Sequence, residues 1–341
     1  MNLSRRTMLL MCLSGLSASP ALAQSLNFLA DSHNHFGLLK NHQTDLGDLK
    51  PLMEKSGVSL LSWSIVPDYP FQKSANPDPQ LIRQYFFNEL AKALEVLKQN
   101  QLNIIRTAQD IAKSETGTPC IVLTAEGADF LAGDMQNLQP AVDLGVCHIQ
   151  LVHYIKNAVG DLQTERPQHD GLSNFGKQLV SKLNSLGVLI DVAHGTEALV
   201  DQALDISKSP LIWSHSYLSS NHGQWTDRLP SSRAIGVNVA KKIAARGGAV
   251  GLWAFGRTFG GGISGYASAI LKMVDLLGPE HVMFGSDADG LPIDSVINDF
   301  DGLRRVFDEL QKQRLDEKHI KAVSYGNYAR CLKTALTRSD Y

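Results

Sequence analysis

The chain has 341 residues, of which 43% are hydrophobic and 19% are charged, and its formal net charge is −2 at pH 7. This composition is typical of a soluble globular protein with enough apolar residues for a sizeable core. A slightly acidic chain gives no electrostatic reason to expect a nucleic-acid partner.

The first 23 residues have the pattern of an export signal. Arg5 and Arg6 precede an apolar stretch, and the sequence ALA ends at Ala23. This order is typical of a secretory signal, and the paired arginines indicate the twin-arginine export machinery of a bacterium. The apolar stretch is shorter than the roughly 20 residues that a membrane span needs. We expect cleavage after Ala23 and a periplasmic protein that does not span the membrane, with one domain over residues 24–341.

Short apolar segments alternate with amphipathic segments of helical length along this domain. The predicted strands are 26–31, 58–66, 120–124, 147–152, 188–192, 210–214, 249–253 and 281–286. The predicted helices include 79–98, 175–186, 196–207, 231–246, 265–277 and 295–312, and residues 68–80, with three prolines, are predicted to form a loop over one face. Nearly continuous apolar strands indicate a parallel sheet that is buried on both faces. Eight such strands predict an α/β fold of the (β/α)8 TIM-barrel type; the alternative is an open doubly wound sheet, although no G-x-G-x-x-G follows the first strand.

Seven side chains that can bind a metal follow six of the predicted strands, where a barrel carries its active site. They are His33, His35, Glu126, His153, His194, His215 and Asp287. Side chains two residues apart in an extended chain point the same way, so His33 and His35 should project together. Each residue alone has an ordinary explanation, as a packed histidine, a helix-capping glutamate or an aspartate in a turn. Together on one rim they predict a site for zinc or a similar divalent ion.

The mixture of residue types also predicts a reaction. Glu126 is the best candidate for a carboxylate that bridges two ions, which would lie about 3.5–4 Å apart and share a hydroxide. Asp287 is a ligand that can also pass a proton to a leaving group. His153 is better placed to donate to a substrate oxygen. The expected chemistry is metal-assisted hydrolysis of a carbonyl compound.

The ordered set of motifs resembles the membrane dipeptidase family, peptidase family M19, which consists of zinc-dependent hydrolases of the amidohydrolase type. The segments that carry the resemblance are DSHNHFG, TAEGAD, LVHY, GLSNFGKQLVSKLNSLGVLIDVAHG, SKSPLIWSHS, HVMFGSDADG and YGNYAR. The resemblance implies two zinc ions, the first held by His33, His35, Glu126 and Asp287, and the second by Glu126, His194 and His215. It also implies that His153 contacts the substrate carbonyl or the tetrahedral intermediate. A homodimer is expected only from this resemblance.

The family also has an arginine after the S-H-S segment, which pairs with the terminal carboxylate of a dipeptide. Arg228, just before Leu229-Pro230, is the first candidate for this role, and Arg233 is the substitute. The alternative for Arg228 is an ordinary arginine in an exposed loop.

The chain departs from the family at position 35, where the family has an aspartate and this chain has His35. The histidine keeps a ligand but makes the site more positive, which favours anionic groups and allows a site with one ion. We expect a zinc-dependent dipeptidase acting on small peptides or similar amides. The alternatives are a related amidohydrolase that cleaves another amide, ester or lactone, for example in the maturation of a secreted peptide metabolite, and a non-catalytic descendant that binds a peptide or a metal.

Overall fold

Eight parallel strands form the centre of the computed structural model, which describes residues 29–38, 48–219, 233–291 and 295–338. They are β1 (Leu29–Asn34), β2 (Val58–Ile65), β3 (Cys120–Ala125), β4 (Val146–Gln150), β5 (Leu189–Asp191), β6 (Ile212–Ser216), β7 (Ala249–Leu252) and β8 (Val282–Phe284). Each strand pairs with the next along the chain. The backbone N–H groups of His35 and Asp287 donate to the carbonyl oxygens of Ala288 and His33, which brings the sheet close to closure. The predicted (β/α)8 architecture is confirmed.

Helices surround this sheet and connect its strands. They are α1 (Leu49–Ser56), α2 (Pro79–Gln99), α3 (Ile111–Ser114), α4 (Leu138–Asp143), α5 (Asn174–Ser185), α6 (Glu197–Ile206), α7 (Val237–Ala245), α8 (Gly262–Leu277), α9 (Phe300–Lys312), α10 (Glu317–Lys321) and α11 (Asn327–Thr337). Asp78, Ser173 and Thr196 start α2, α5 and α6, because their side chains accept backbone N–H bonds from the first turn. In the ranges that the structure covers, no helix is long and apolar enough to cross a membrane.

Some predicted boundaries differ from those in the structure. Strands β1 and β6 continue through His33 and His215, so these two histidines lie within strands and not after them. The helix predicted from residue 231 begins only at Val237, because Ile235 first pairs with the chain beside β6. Helix α1 was not predicted, since eight residues show too little apolar periodicity.

The barrel interior changes from apolar to polar toward the C-terminal ends of the strands. A buried apolar cluster at the other end joins the strands to helix α11 and includes Ala30, Leu60, Val122, Leu189, Ile212, Ala249, Met283, Tyr328 and Leu332. Further along β1, the Ser32 hydroxyl donates to the carbonyl oxygens of Ser214 and Phe284, at 3.0 and 2.7 Å. Polar side chains therefore accumulate at the end of the barrel where an active site is expected.

Gly251 lies where strand β7 approaches Ser214 too closely for a side chain. A Cβ atom at this position would be 1.8 Å from the Ser214 carbonyl oxygen, so a backbone shift would be needed to admit it. We expect Gly251→Ala to lower the free energy of unfolding by about 1–3 kcal/mol, measured by urea denaturation. Gly326→Ala is the control, because Gly326 has helical φ and its nearest new contact would be at 3.4 Å. Equal stability of Gly251→Ala and the wild type would contradict this packing.

Candidate metal centre

The structure brings together all seven of the side chains predicted as ligands or catalytic groups. They are His33, His35, Glu126, His153, His194, His215 and Asp287, and every one is buried. They reach the same point because they come from the C-terminal ends of β1, β3, β4, β5, β6 and β8. His194 and Asp287 adopt positive φ angles of 66° and 53°, a conformation that costs energy in residues other than glycine and is common at functional sites.

The Glu126 carboxylate lies at the centre of this cluster. Its nearest oxygen is 3.3 Å from the Nε2 atoms of His33, His35 and His153, 3.4 Å from that of His194 and 3.5 Å from that of His215. Burial alone would raise the pKa of Glu126, but the surrounding imidazoles, His153 and His33 above all, hold it well below its usual range. Glu126 is therefore ionised. Its two carboxylate oxygens could contact a metal ion on either side of it.

The distances between donor atoms fit a tetrahedral metal ion. The Nε2 atoms of His33 and His35 are 3.1 Å apart, and that of His35 is 3.3 Å from Oδ1 of Asp287. On the other side of Glu126, the Nε2 atoms of His194 and His215 are also 3.1 Å apart. Zinc with bonds of about 2.0–2.1 Å would separate its ligands by about 3.3 Å. The imidazole and carboxylate set therefore fits zinc at either position.

Hydrogen bonds on the far side of the rings direct several Nε2 atoms inward. The Nδ1 atom of His35 donates to the Ser64 carbonyl oxygen at 2.7 Å, and that of His215 is 2.9 Å from the Ser214 hydroxyl. Such partners fix the tautomer and orientation of metal-binding histidines. Burial alone would lower the pKa of His35, but contacts with Asp287 and Glu126 raise it to about 10. A metal ion that bound to His35 would therefore displace a proton from the ring.

Asp68 is a functional candidate that is absent from the predicted set of site residues. It falls within the loop predicted over residues 68–80, but it is fully buried, and its Oδ1 accepts a 2.7 Å bond from Nδ1 of His153. Its Oδ2 accepts the backbone N–H groups of Tyr154 and Ile155. Its position in the sequence could have indicated this role. Asp68 follows the second predicted strand, and the end of that strand is one of two with no predicted ligand.

The environment of His153 differs from that of the other histidines. Burial alone would lower its pKa, but the carboxylates of Asp68 and Glu126 raise it above its ordinary value. In the imidazolium form His153 has two N–H donors, one on Nδ1 for Asp68 and one on Nε2, which lies 3.3 Å from Glu126. The role of His153 as a donor to a substrate oxygen stays a prediction.

Of the two arginines considered, Arg233 lies in the site, whereas Arg228 lies outside the described residues. Arg233 is buried, with 2% of its surface exposed. Its guanidinium carbon lies 5.8 Å from the Tyr154 ring centre and 5.6 Å from that of Trp253. Its Nη1 atom donates to Oε1 of Gln163 at 3.2 Å. Stacking and hydrogen bonding therefore fix a positive charge beside the cluster.

A cavity of about 330 Å³ gives access to these groups. Its walls include Glu126, Asp287 and Arg233, together with the aromatic side chains of Tyr154 and Phe255. An apolar wall with a few converging polar groups is typical of a site for a small molecule.

A protein-family model matches almost the whole chain. The family model for membrane dipeptidase (peptidase family M19) matches residues 20–340. An uncharacterized dipeptidase of Schizosaccharomyces pombe is 28% identical over 240 residues, which are 66% of this chain and 55% of that protein. The chain spans little more than half the length of the first curated relatives it matches.

Two solved structures have the same fold. The crystal structure of dipeptidase AC, a metallopeptidase of family M19, has a TM-score of 0.78 and 22% identity, covering 91% of this chain and 99% of that one. A metallopeptidase of Rhodobacter sphaeroides, liganded with a phosphinate mimic of the dipeptide L-Ala-D-Ala, has a TM-score of 0.75 and 21% identity, covering 90% of this chain and 99% of that one.

Proposed function

Because this chain belongs to the membrane dipeptidase family, peptidase family M19, we propose that it is a metal-dependent dipeptidase that cleaves the amide bond of dipeptides or similar small amides. The observation that carries the proposal is the buried Glu126 carboxylate within 3.5 Å of five imidazole nitrogens, at the end of the barrel where active sites lie.

We take zinc as the metal, because imidazole and carboxylate groups at these distances suit it. His33, His35 and Asp287 would hold one ion, His194 and His215 would hold a second, and Glu126 would lie between them. A bound zinc ion polarises a carbonyl group and makes water a stronger acid and nucleophile.

The protein's own residues position the substrate and move protons. The Nε2 atom of His153, whose ring Asp68 holds from behind, would donate to the oxygen that becomes negative during attack on the amide. The Asp287 carboxylate, which lines the cavity, would take a proton and deliver it to the nitrogen of the leaving amine.

Arg233 would bind the terminal carboxylate of the dipeptide. We expect Arg233→Met to raise KM for a dipeptide by roughly 10–100-fold, because a charged hydrogen bond contributes about 1.5–3 kcal/mol. KM for the matching dipeptide amide, which lacks the carboxylate, should change little. Steady-state kinetics on the two substrates measure this difference. An equal rise in KM for both would show that Arg233 does not recognise the carboxylate.

A substrate panel tests the proposed function. Purified mature protein should hydrolyse dipeptides, lose this activity with a chelator and regain it with zinc. Cleavage of another amide, ester or lactone without any dipeptide would favour the related amidohydrolase. No cleavage at full metal occupancy would favour the descendant that only binds a peptide or a metal.

We also propose that the twin-arginine machinery exports the protein to the periplasm. The support is the sequence pattern alone, since residues 1–28 lie outside the described ranges. Replacing both Arg5 and Arg6 with lysine should leave the unprocessed protein in the cytoplasm, whereas normal processing of this variant would argue against the route. The homodimer stays a prediction that light scattering can test.

A further inference from the structure

Arg233 contacts a nitrogen atom that the second metal position requires. Its Nη2 atom lies 3.2 Å from Nε2 of His215. A guanidinium group has only N–H donors and no acceptor, so the hydrogen bond runs from Arg233 to the lone pair of His215.

The other nitrogen of His215 cannot replace this lone pair. Its Nδ1 atom is 2.9 Å from the Ser214 hydroxyl and points away from Glu126. The single lone pair on Nε2 therefore serves either the Arg233 hydrogen bond or a metal ion, but not both.

The charges that surround the site also disfavour binding of a second metal ion. Glu126 and Asp287 are the only carboxylates among the described residues that line the cavity, and their two negative charges match one divalent ion. A second ion would add two positive charges beside the Arg233 cation. The histidine at position 35 increases this imbalance, since an aspartate there would have supplied a third negative charge.

The two metal positions also differ in the hydrogen bonds that hold their histidine ligands. His35 is held by the Ser64 carbonyl oxygen. The Nδ1 atom of His194, by contrast, is buried and has no hydrogen-bond partner within the part of the chain that the structure describes. Loss of such a partner typically costs 10–100-fold in metal affinity.

We propose that Arg233 competes with the second metal ion for His215, so that the position formed by His194 and His215 binds zinc more weakly than the position formed by His33, His35 and Asp287. A carboxylate that pairs with Arg233 draws the guanidinium from His215 and so strengthens binding of the second ion. This last part rests on the proposed function, in which the substrate brings that carboxylate. Binding of an anion and binding of the second metal ion are therefore thermodynamically linked. Such a coupling typically changes an affinity by 5–150-fold.

Equilibrium dialysis of metal-free protein against buffered zinc tests the proposal, with bound zinc per chain measured by elemental analysis. The wild type should fill in two steps, the second requiring at least about tenfold more free zinc. Arg233→Met should move the second step to lower zinc by about tenfold or more. Arg257→Met, which removes an exposed arginine that lines the same cavity, should leave both steps in place.

Acetate serves as the carboxylate probe. It should move the second step of the wild type toward lower zinc and leave that of Arg233→Met unmoved. If Arg233→Met does not fold, Arg233→Gln can be used in its place. The effect of acetate can also be measured on the wild-type protein alone.

Three results would overturn the proposal: equal affinities for two ions in the wild type, a second step that Arg233→Met does not move, or a single ion in both proteins. Because bound zinc is the readout, these results do not depend on dipeptide hydrolysis, and failure to hydrolyse dipeptides would leave the zinc measurements valid.

Discussion

Replacing Glu126 with glutamine should lower kcat/KM for dipeptides by at least about a thousandfold and remove zinc from both positions. The Glu126 carboxylate lies within 3.5 Å of imidazole nitrogens from both proposed metal positions. An amide has nearly the same shape, but it is neutral, and its nitrogen offers no lone pair to a metal ion. The measurements are steady-state kinetics and zinc content per chain.

Asp129→Asn is the matched control for this substitution. Asp129 is also buried, three residues further along the chain. Burial, reinforced by the neighbouring Asp68, raises the pKa of Asp129 well above its ordinary value, so the neutral amide of asparagine is a close replacement for this carboxyl group. An asparagine there should keep zinc content and activity close to those of the wild type. Full zinc content in Glu126→Gln would contradict a bridging role for Glu126.

Replacing Asp68 with asparagine should lower kcat by about a hundredfold or more while KM changes little. The Asp68 carboxylate accepts a bond from His153 on one oxygen and two backbone N–H bonds on the other. An amide cannot accept on both sides, so either His153 or the backbone loses its partner. The ring of His153 would then lose the orientation that points Nε2 at the substrate oxygen.

The pH dependence of Asp68→Asn separates this role from a structural one. The carboxylates of Asp68 and Glu126 raise the pKa of His153, so its imidazolium form persists to higher pH and is lost as pH rises through that pKa. Without the Asp68 charge the pKa falls, and the alkaline decline in kcat should move to lower pH. Asp129→Asn, which removes a smaller contribution to the pKa of His153, should move the profile less than Asp68→Asn does. Loss of thermal stability without any shift of the profile would make Asp68 a structural residue only.

The positions of the ligands could be predicted because strand ends of a parallel barrel meet on one rim. Each strand could be predicted from its own short apolar segment. A histidine or carboxylate at or just after the end of six of these strands was then sufficient to predict the cluster. The same rule applied to the second strand end would have included Asp68. It was passed over because its partner, His153, is 85 residues away, and no local pattern joins the two.

The arginine in the site could not be identified from the spacing of sequence motifs alone. Arg228 fitted a short motif, but its position lies outside the described residues and stays untested. Arg233 enters the site because its carbonyl oxygen accepts a bond from the Ser216 hydroxyl, and the backbone N–H of Ile235 then donates to the Tyr217 carbonyl oxygen. These contacts turn the chain back toward β6. They depend on tertiary packing and could not be predicted from residue spacing.

A crystal structure of zinc-loaded protein, with anomalous scattering at the zinc edge, would show whether the cluster around Glu126 is a metal centre. We expect one anomalous peak beside His33, His35 and Asp287, and a second, weaker at limiting zinc, beside His194 and His215. The absence of any peak within this cluster in excess zinc would mean that it is not a metal centre.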